Sequence, residues 1–289
     1  MPKMAPTQAN QADKHPEHAL LGLLVSTMNG RLWDNQALTQ QLLETALPVV
    51  VVDQLTDVGR GAPHAVVDAP NVRVIQAREL GVSNSRNAGL KAIQADWVVL
   101  CDDDVTLLMD GLDALRQHLQ NVPGNVGAVA TQLMKGTDSP WRNYDPTLQV
   151  IQGRAWSAKL AIQRINSMEL VLNRAHMRDA GMGFNPSFGL GAPPTTGGEE
   201  VLVLSNMLNR GWAVQVLPVA TRVHPDESSG SMGNEGTAFS QGAVHRLTFD
   251  APFRWLLLPW SLAKRLLQGS PLAQAYAYLR GWWWASRHR

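Results

Sequence analysis

Cys101 is the only cysteine in 289 residues. No intrachain disulfide can staple this chain, which fits a reducing compartment. Also missing is any run of the ~18 to 20 apolar residues that a bilayer crossing requires. Residues 1–18 are polar and carry no apolar core of the signal-peptide kind. The expectation is a soluble or peripheral protein, cytoplasmic, touching the inner face of the cell membrane at most. Net charge is close to absent, +1 at neutral pH. That excludes a basic surface spread over the whole molecule for nucleic acid. Phenylalanine and tyrosine are scarce, five and three, against ten tryptophans, several of them near the C-terminus.

What is present is an alternation of short apolar runs with helical patterns. Residues 1–18 mix Pro, Gln, Asn and His without period and are expected to be a disordered tail. Leu20 to Val25, a helix with Leu38, Leu42 and Leu43 on one face, and Val49 to Val52 form a β-α-β unit, whose crossover implies parallel strands. Val72 to Ile75, the helix Ser83 to Gln94, Trp97 to Cys101, the helix Leu107 to Leu119 and Val126 to Leu133 continue the pattern. This predicts an α/β fold, an open and mostly parallel sheet with helices on both faces. Ligands of such sheets sit outside the carboxyl ends of the strands. Residues 19–225 are expected to form the catalytic domain, 226–250 a flexible Gly/Ser-rich linker, and 251–289 a set of amphipathic helices.

The run Trp97-Val98-Val99-Leu100-Cys101 ends in Asp102-Asp103-Asp104. A buried strand delivers its last side chains to the sheet rim, where packed like charges are costly unless a cation joins them. Period-two alternation aims Asp102 and Asp104 to one side and leaves Asp103 to face elsewhere or to join from the turn. Oxygen ligands of this type suit Mg2+ or Mn2+ with a substrate phosphate. Three further features accompany the triplet: Asp53 after a strand, Ser83-Asn84-Ser85-Arg86-Asn87-Ala88-Gly89, and Gly198-Glu199-Glu200 with His224 downstream.

Together these features resemble the family 2 glycosyltransferases of the GT-A fold, bacterial type. Ser83 to Gly89 is similar to the family's S-x-x-R-N-x-G helix, and the triplet to its D-x-D strand end. Gly183-Phe184-Asn185 to Gly191 is similar to its G-x-F-D-x-x-F-x-x-G loop, and Gly198-Glu199-Glu200 to its G-E-D motif. His224-Pro225 with Ser228-Ser229-Gly230 resembles a loop of many bacterial members. The resemblance implies inverting transfer of a sugar from a nucleotide diphosphate sugar to a hydroxyl of a glycan or lipid-linked saccharide. It implies that Asp53 binds the base, that Arg86 lies near the diphosphate or braces the acids, and that Asp102 and Asp103 lie at the donor. Asp104, with Asp102 and His224, would hold the metal. Glu200 would be the general base, with Glu199 as its competitor, because the family's usual acid here is Asp. Val52-Asp53-Gln54-Leu55-Thr56-Asp57 departs from the family's paired acids followed by Gly-Ser, which leaves the base open.

Two other readings fit parts of the sequence. Asp102 to Leu107 matches the D-x-D-x-T-L signature of haloacid-dehalogenase-like phosphatases, in which the first Asp is a nucleophile. No later G-D-x-x-x-D pair accompanies it. A non-catalytic, nucleotide-sugar-binding module of the same fold is the other. After Asp250 the chain has no acid, while Arg254, Lys264, Arg265, Arg280, Arg287 and Arg289 intersperse Trp and Leu. That composition suits an anionic membrane surface or, alternatively, helices packed on the catalytic domain.

Overall fold

The computed structural model describes residues 19–56, 69–136, 139–225, 234–267 and 272–287. The N-terminal tail, Asp57 and the Ser228-Ser229-Gly230 segment lie outside them.

Strands β1 (Ala19–Met28), β2 (Val49–Gln54), β3 (Val72–Ala77) and β4 (Ala95–Asp102) lie parallel, in the order β3-β2-β1-β4. Between them run helices α1 (Gln36–Glu44) and α2 (Val82–Ala92). The two-residue β5 (Thr106–Leu107), helix α3 (Met109–Leu119), β6 (Val126–Lys135) and the short β7 (Ser139–Pro140) and β8 (Gln149–Ile151) follow. Next come α4 (Trp156–Ile162), β9 (Leu170–Asn173), α5 (Arg174–Asp179), α6 (Glu199–Asn209) and β10 (Ala213–His224). The sheet continues as β4-β9-β6-β10-β5, with β9 antiparallel to both neighbours and β6 parallel to β10.

All six residues of β2 are buried, as are Leu21 to Val25 of β1 and Trp97 to Cys101 of β4. A strand buried on both faces needs layers on both sides, and this is why these segments are continuous apolar runs without alternation. The result is the GT-A arrangement expected from the sequence. Cys101 is buried and unpaired, its thiol pushed up to about 11 by burial, and it packs as a small apolar residue.

One expectation is corrected. Residues 235–248, assigned from their Gly and Ser content to a flexible linker, form helix α7 (Glu235–Thr248), capped by the Asn234 side chain on Thr237 N–H. Helices α8 (Phe253–Leu267) and α9 (Leu272–Arg287) follow. The small residues of α7 serve contact: a Cβ on Gly242 would lie 2.0 Å from the Tyr278 carbonyl oxygen, and one on Gly281 1.9 Å from that of Phe239. α7 and α9 therefore cross backbone to backbone, with Tyr278 and Trp282 fully buried between them and their surroundings.

Candidate active site

Asp53 and the triplet Asp102, Asp103 and Asp104 stand at the carboxyl ends of β2 and β4, whereas Glu199 and Glu200 do not. Those two come from the start of α6. At the end of β2, Asp53 is 1% exposed and accepts the Gly30 N–H at 3.0 Å through Oδ1, while Oδ2 is buried with no protein partner. Burial holds its carboxyl above the ordinary range, against the Gly30 bond. Gln54, where the related pattern has a second acid, donates to the Gly81 carbonyl at 3.1 Å and to that of Glu79. A carboxylate there would have no proton to offer.

The three triplet residues diverge. Asp103 is buried and uses both oxygens within the protein, accepting from Thr27 Oγ1 at 2.7 Å and pairing with Arg31 at 2.8 Å. Asn35 Nδ2 donates to its carbonyl at 3.2 Å. Asp103 therefore ties the triplet turn to the end of β1. Asp102 stands 3.6 Å from Arg86 Nη2 with a third of its side chain open. Burial, then Asp104 and Asp103, raise its carboxyl against the pull of Arg86. Asp104 Oδ1 lies 3.6 Å from His224 Nε2 and is itself buried without a hydrogen-bond partner. His224 Nδ1 meets the Pro225 carbonyl at 2.8 Å. A carbonyl only accepts, so Nδ1 carries the proton and Nε2 faces Asp104 with its lone pair available in the neutral ring. Trp141 packs edge-on against this imidazole, 5.5 Å between centroids.

Arg86 links the strand end to α6. It is 3% exposed, with Nη1 donating to Glu199 Oε1 at 2.6 Å, Nη2 towards Asp102, and its guanidinium 5.5 Å from the centre of the Phe184 ring. Glu199 is buried, and Glu200, the next residue, is only partly so. Burial first, then the Glu199 carboxylate, push the Glu200 carboxyl up to about 8. Gly198 precedes the helix at φ +90, and a Cβ on it would sit 2.3 Å from Val244 Cγ2. Only glycine meets both conditions without strain, so α6 must begin where it does.

The Ser83 to Gly89 segment is the spine of this arrangement. Besides Arg86, it offers Ser83 Oγ to the Phe188 carbonyl at 2.7 Å. Asn87 clasps Phe184 in both directions, Nδ2 to the carbonyl and Oδ1 from the N–H, each at 2.8 Å. Val82 N–H donates to the Leu190 carbonyl at 2.9 Å. One helix thus holds the glycine-rich 183–191 loop, the acid triplet and the start of α6 in a single rigid relation.

Sequence reasoning passed over Arg222. It is fully buried in β10 and spans from β4 to β6, donating to the Leu100 carbonyl, to Thr131 Oγ1 at 2.9 Å and to Thr221 Oγ1 at 3.2 Å. β9 pairs with β4 only over Trp97 to Val99, so this guanidinium closes the seam where β9 stops, two residues before Asp102. Its signal was available: an arginine in an apolar strand, two residues before His224.

Among the described residues no group of three His, Cys, Asp or Glu side chains is arranged to hold a metal by itself. The donor set still fits a hard divalent cation shared with a substrate. Asp104 has an unpartnered buried oxygen and His224 a free ring nitrogen beside it, and Mg2+ draws few protein ligands when phosphate oxygens and water complete its shell.

Comparison with known proteins agrees with this architecture. The family model described as glycosyl transferase family 2 matches residues 49–172. Among solved structures, residues 1–349 of S. aureus TarS in complex with UDP-GlcNAc superpose with TM-score 0.59 at 17% identity, covering 79% of this chain and 65% of that one. The same protein in complex with UDP gives 0.55 at 16%, covering 79% and 64%. The chain therefore spans just under two thirds of those structures. No curated protein matches its sequence. Residues 49–172 are thus similar to the family 2 glycosyltransferases, and the chain as a whole has the GT-A fold.

Proposed function

We propose that this chain is an inverting glycosyltransferase that moves a sugar from a nucleotide diphosphate sugar to a hydroxyl of a glycan or lipid-linked saccharide. The observation that carries the reading is the Arg86 bridge, which ties Asp102 at the end of β4 to Glu199 at the start of α6. A donor-binding strand end and an acid-bearing helix are thereby one unit. The family match and the TarS complex with UDP-GlcNAc support a nucleotide-sugar donor.

In this reading Asp53 meets the base, a role supported by its unpartnered Oδ2. Asp102 meets the ribose or a metal-bound water, and Asp103 orients the turn from which Asp102 and Asp104 project. Asp104 and His224 would hold Mg2+ or Mn2+, with Asp102 nearby. The cation's contribution is to neutralise charge that grows on the departing diphosphate, which favours the transition state over the ground state. Arg86 holds Glu199 in place through their ion pair. Glu200, partly exposed, accepts the proton of the attacking hydroxyl once it is itself ionised, a form that prevails only above about pH 8. The hydroxyl oxygen displaces the diphosphate from the opposite face of the anomeric carbon, and inversion follows.

Thermal-shift titration with UDP and GDP, with and without Mn2+, tests donor binding. Asp104→Ala is expected to lose the Mn2+-dependent increment. Glu200→Gln is expected to keep it and to lose transfer by about 10²- to 10⁴-fold, the usual range for a general base. A Glu200→Gln protein that transfers at the wild-type rate would move the base to another residue.

A further inference from the structure

The C-terminal helices present two different faces. Towards the protein, α9 buries Tyr278, Gly281, Trp282 and Ala285 against α7 and the core, and Trp284 packs on Phe188 and Phe239. That face is already packed within the protein.

The outward face is different. Leu256 (66%), Trp260 (57%) and Leu267 (89%) of α8 are exposed, as are Leu272 (77%), Tyr276 (65%) and Trp283 (54%) of α9. On α8 the spacing is four and seven residues, and on α9 four and seven again, so each trio occupies one side of its helix. Of the fourteen large apolar side chains exposed among the described residues, eight lie between Trp255 and Trp283. Apolar surface concentrated in this way marks a contact surface.

Charge decides what it contacts. The chain has no acid after Asp250, and a cation follows three of the exposed aromatics by four residues: Lys264 after Trp260, Arg280 after Tyr276, Arg287 after Trp283. Lys264 Nζ lies 5.3 Å from the Trp260 ring centre, and the Arg280 guanidinium 5.9 Å from that of Tyr276. Aromatic rings beside cations, interspersed with more exposed leucines, match the composition of a surface that meets anionic lipid. Leucine enters the acyl boundary, the rings sit at headgroup depth, and the cations meet phosphate. No described helix is long and apolar enough to cross a bilayer, which leaves insertion in the plane of the surface. We infer that the outer face of α8 and α9 docks the protein on an anionic membrane surface. The inference stands on surface residues other than the acids of the candidate site, and deepens the proposed function only by locating its acceptor at a membrane.

The test is co-sedimentation of the full chain with vesicles of phosphatidylcholine alone or with 30% phosphatidylglycerol, in about 50 and 500 mM salt. The wild type is expected to bind the mixed vesicles, more weakly at high salt. Leu256→Glu/Trp260→Glu/Leu267→Glu is expected to lose at least tenfold in partitioning. Lys264→Gln/Arg280→Gln/Arg287→Gln is expected to lose about a hundredfold, since each cation near such a surface contributes roughly one tenfold step or slightly less. All six positions face outward, so both variants should keep the wild-type circular dichroism and the UDP thermal shift. Equal binding of the glutamate variant and the wild type would overturn the inference. So would a wild type that ignores the mixed vesicles, or one that forms a dimer which the glutamate variant dissolves. Asp104→Ala should still sediment with the vesicles, so a failed donor reading and a failed docking reading give different results.

Discussion

At the start of α6, Glu199 gives its charge to Arg86, whereas Glu200 has burial and its neighbour's carboxylate working against ionisation. As the proposed base, Glu200 must be ionised to act, and it keeps its proton until about pH 8. The kcat/KM of donor turnover is therefore expected to rise with pH through about 8, and the rise should vanish in Glu200→Gln. The same shift acts on stability with the opposite benefit. The native state binds this proton more tightly than the unfolded chain does, so its stabilisation is complete below the unfolded carboxyl value and is lost as pH climbs through about 8. Urea midpoints measured from pH 5 to 9 should fall less steeply in Glu200→Gln. Arg86 makes a second test at this scale. Its removal strands the buried Glu199 charge, and Arg86→Ala should lose about 3–5 kcal/mol by urea unfolding. Arg86→Ala/Glu199→Ala should lose clearly less than the two single losses added, because the double variant leaves no unpaired charge.

Helix α7 shows how an element escapes a sequence reading. Gly236, Ser240 and Gly242 lower helix propensity, and their density suggested a linker. What makes the helix is the close crossing with α9, which requires small residues at the contact. Gly242→Ala would put a methyl group 2.0 Å from the Tyr278 carbonyl oxygen, and neither atom belongs to a flexible side-chain end. The helices must move apart. We expect a loss of about 1–3 kcal/mol, the usual cost of overpacking, even though alanine is the better helix former. A Gly242→Ala protein more stable than wild type in chemical denaturation would show that propensity governs α7. The α2 segment is the opposite case. Its Ser, Arg and Asn were legible as a motif, but their partners, Phe188, Glu199 and Phe184, stand 97 to 113 residues away.

Across the whole molecule, the C-terminal tryptophans separate by burial, although they are neighbours in sequence. Trp282 is fully buried and Trp283 is 54% exposed. Trp282→Ala should cost about 3–5 kcal/mol, as large aromatic truncations in cores do. Trp283→Ala should stay within about 0.5 kcal/mol. Urea unfolding of the two variants separates them, and equal costs would mean that α9 does not pack as described. Removal of everything beyond Asp250 would strip Tyr278 and Trp282 from α7. Membrane contact is therefore tested by outward-facing substitutions in the intact chain.

The order of apolar runs and helical patterns determined the parallel sheet, because strands buried on both faces must be continuously apolar and their crossovers need helices. The run into Asp102 determined that carboxylates stand at a strand end, since alternation along a strand is local. Tertiary structure alone decided the rest. It turned Asp103 to Thr27 and Arg31, set His224 against Asp104, laid Arg222 across the seam between β4 and β6, and joined Arg86 to Glu199. Each of these depends on which distant segment closes against which. No local period encodes that, because it follows from how the layers pack.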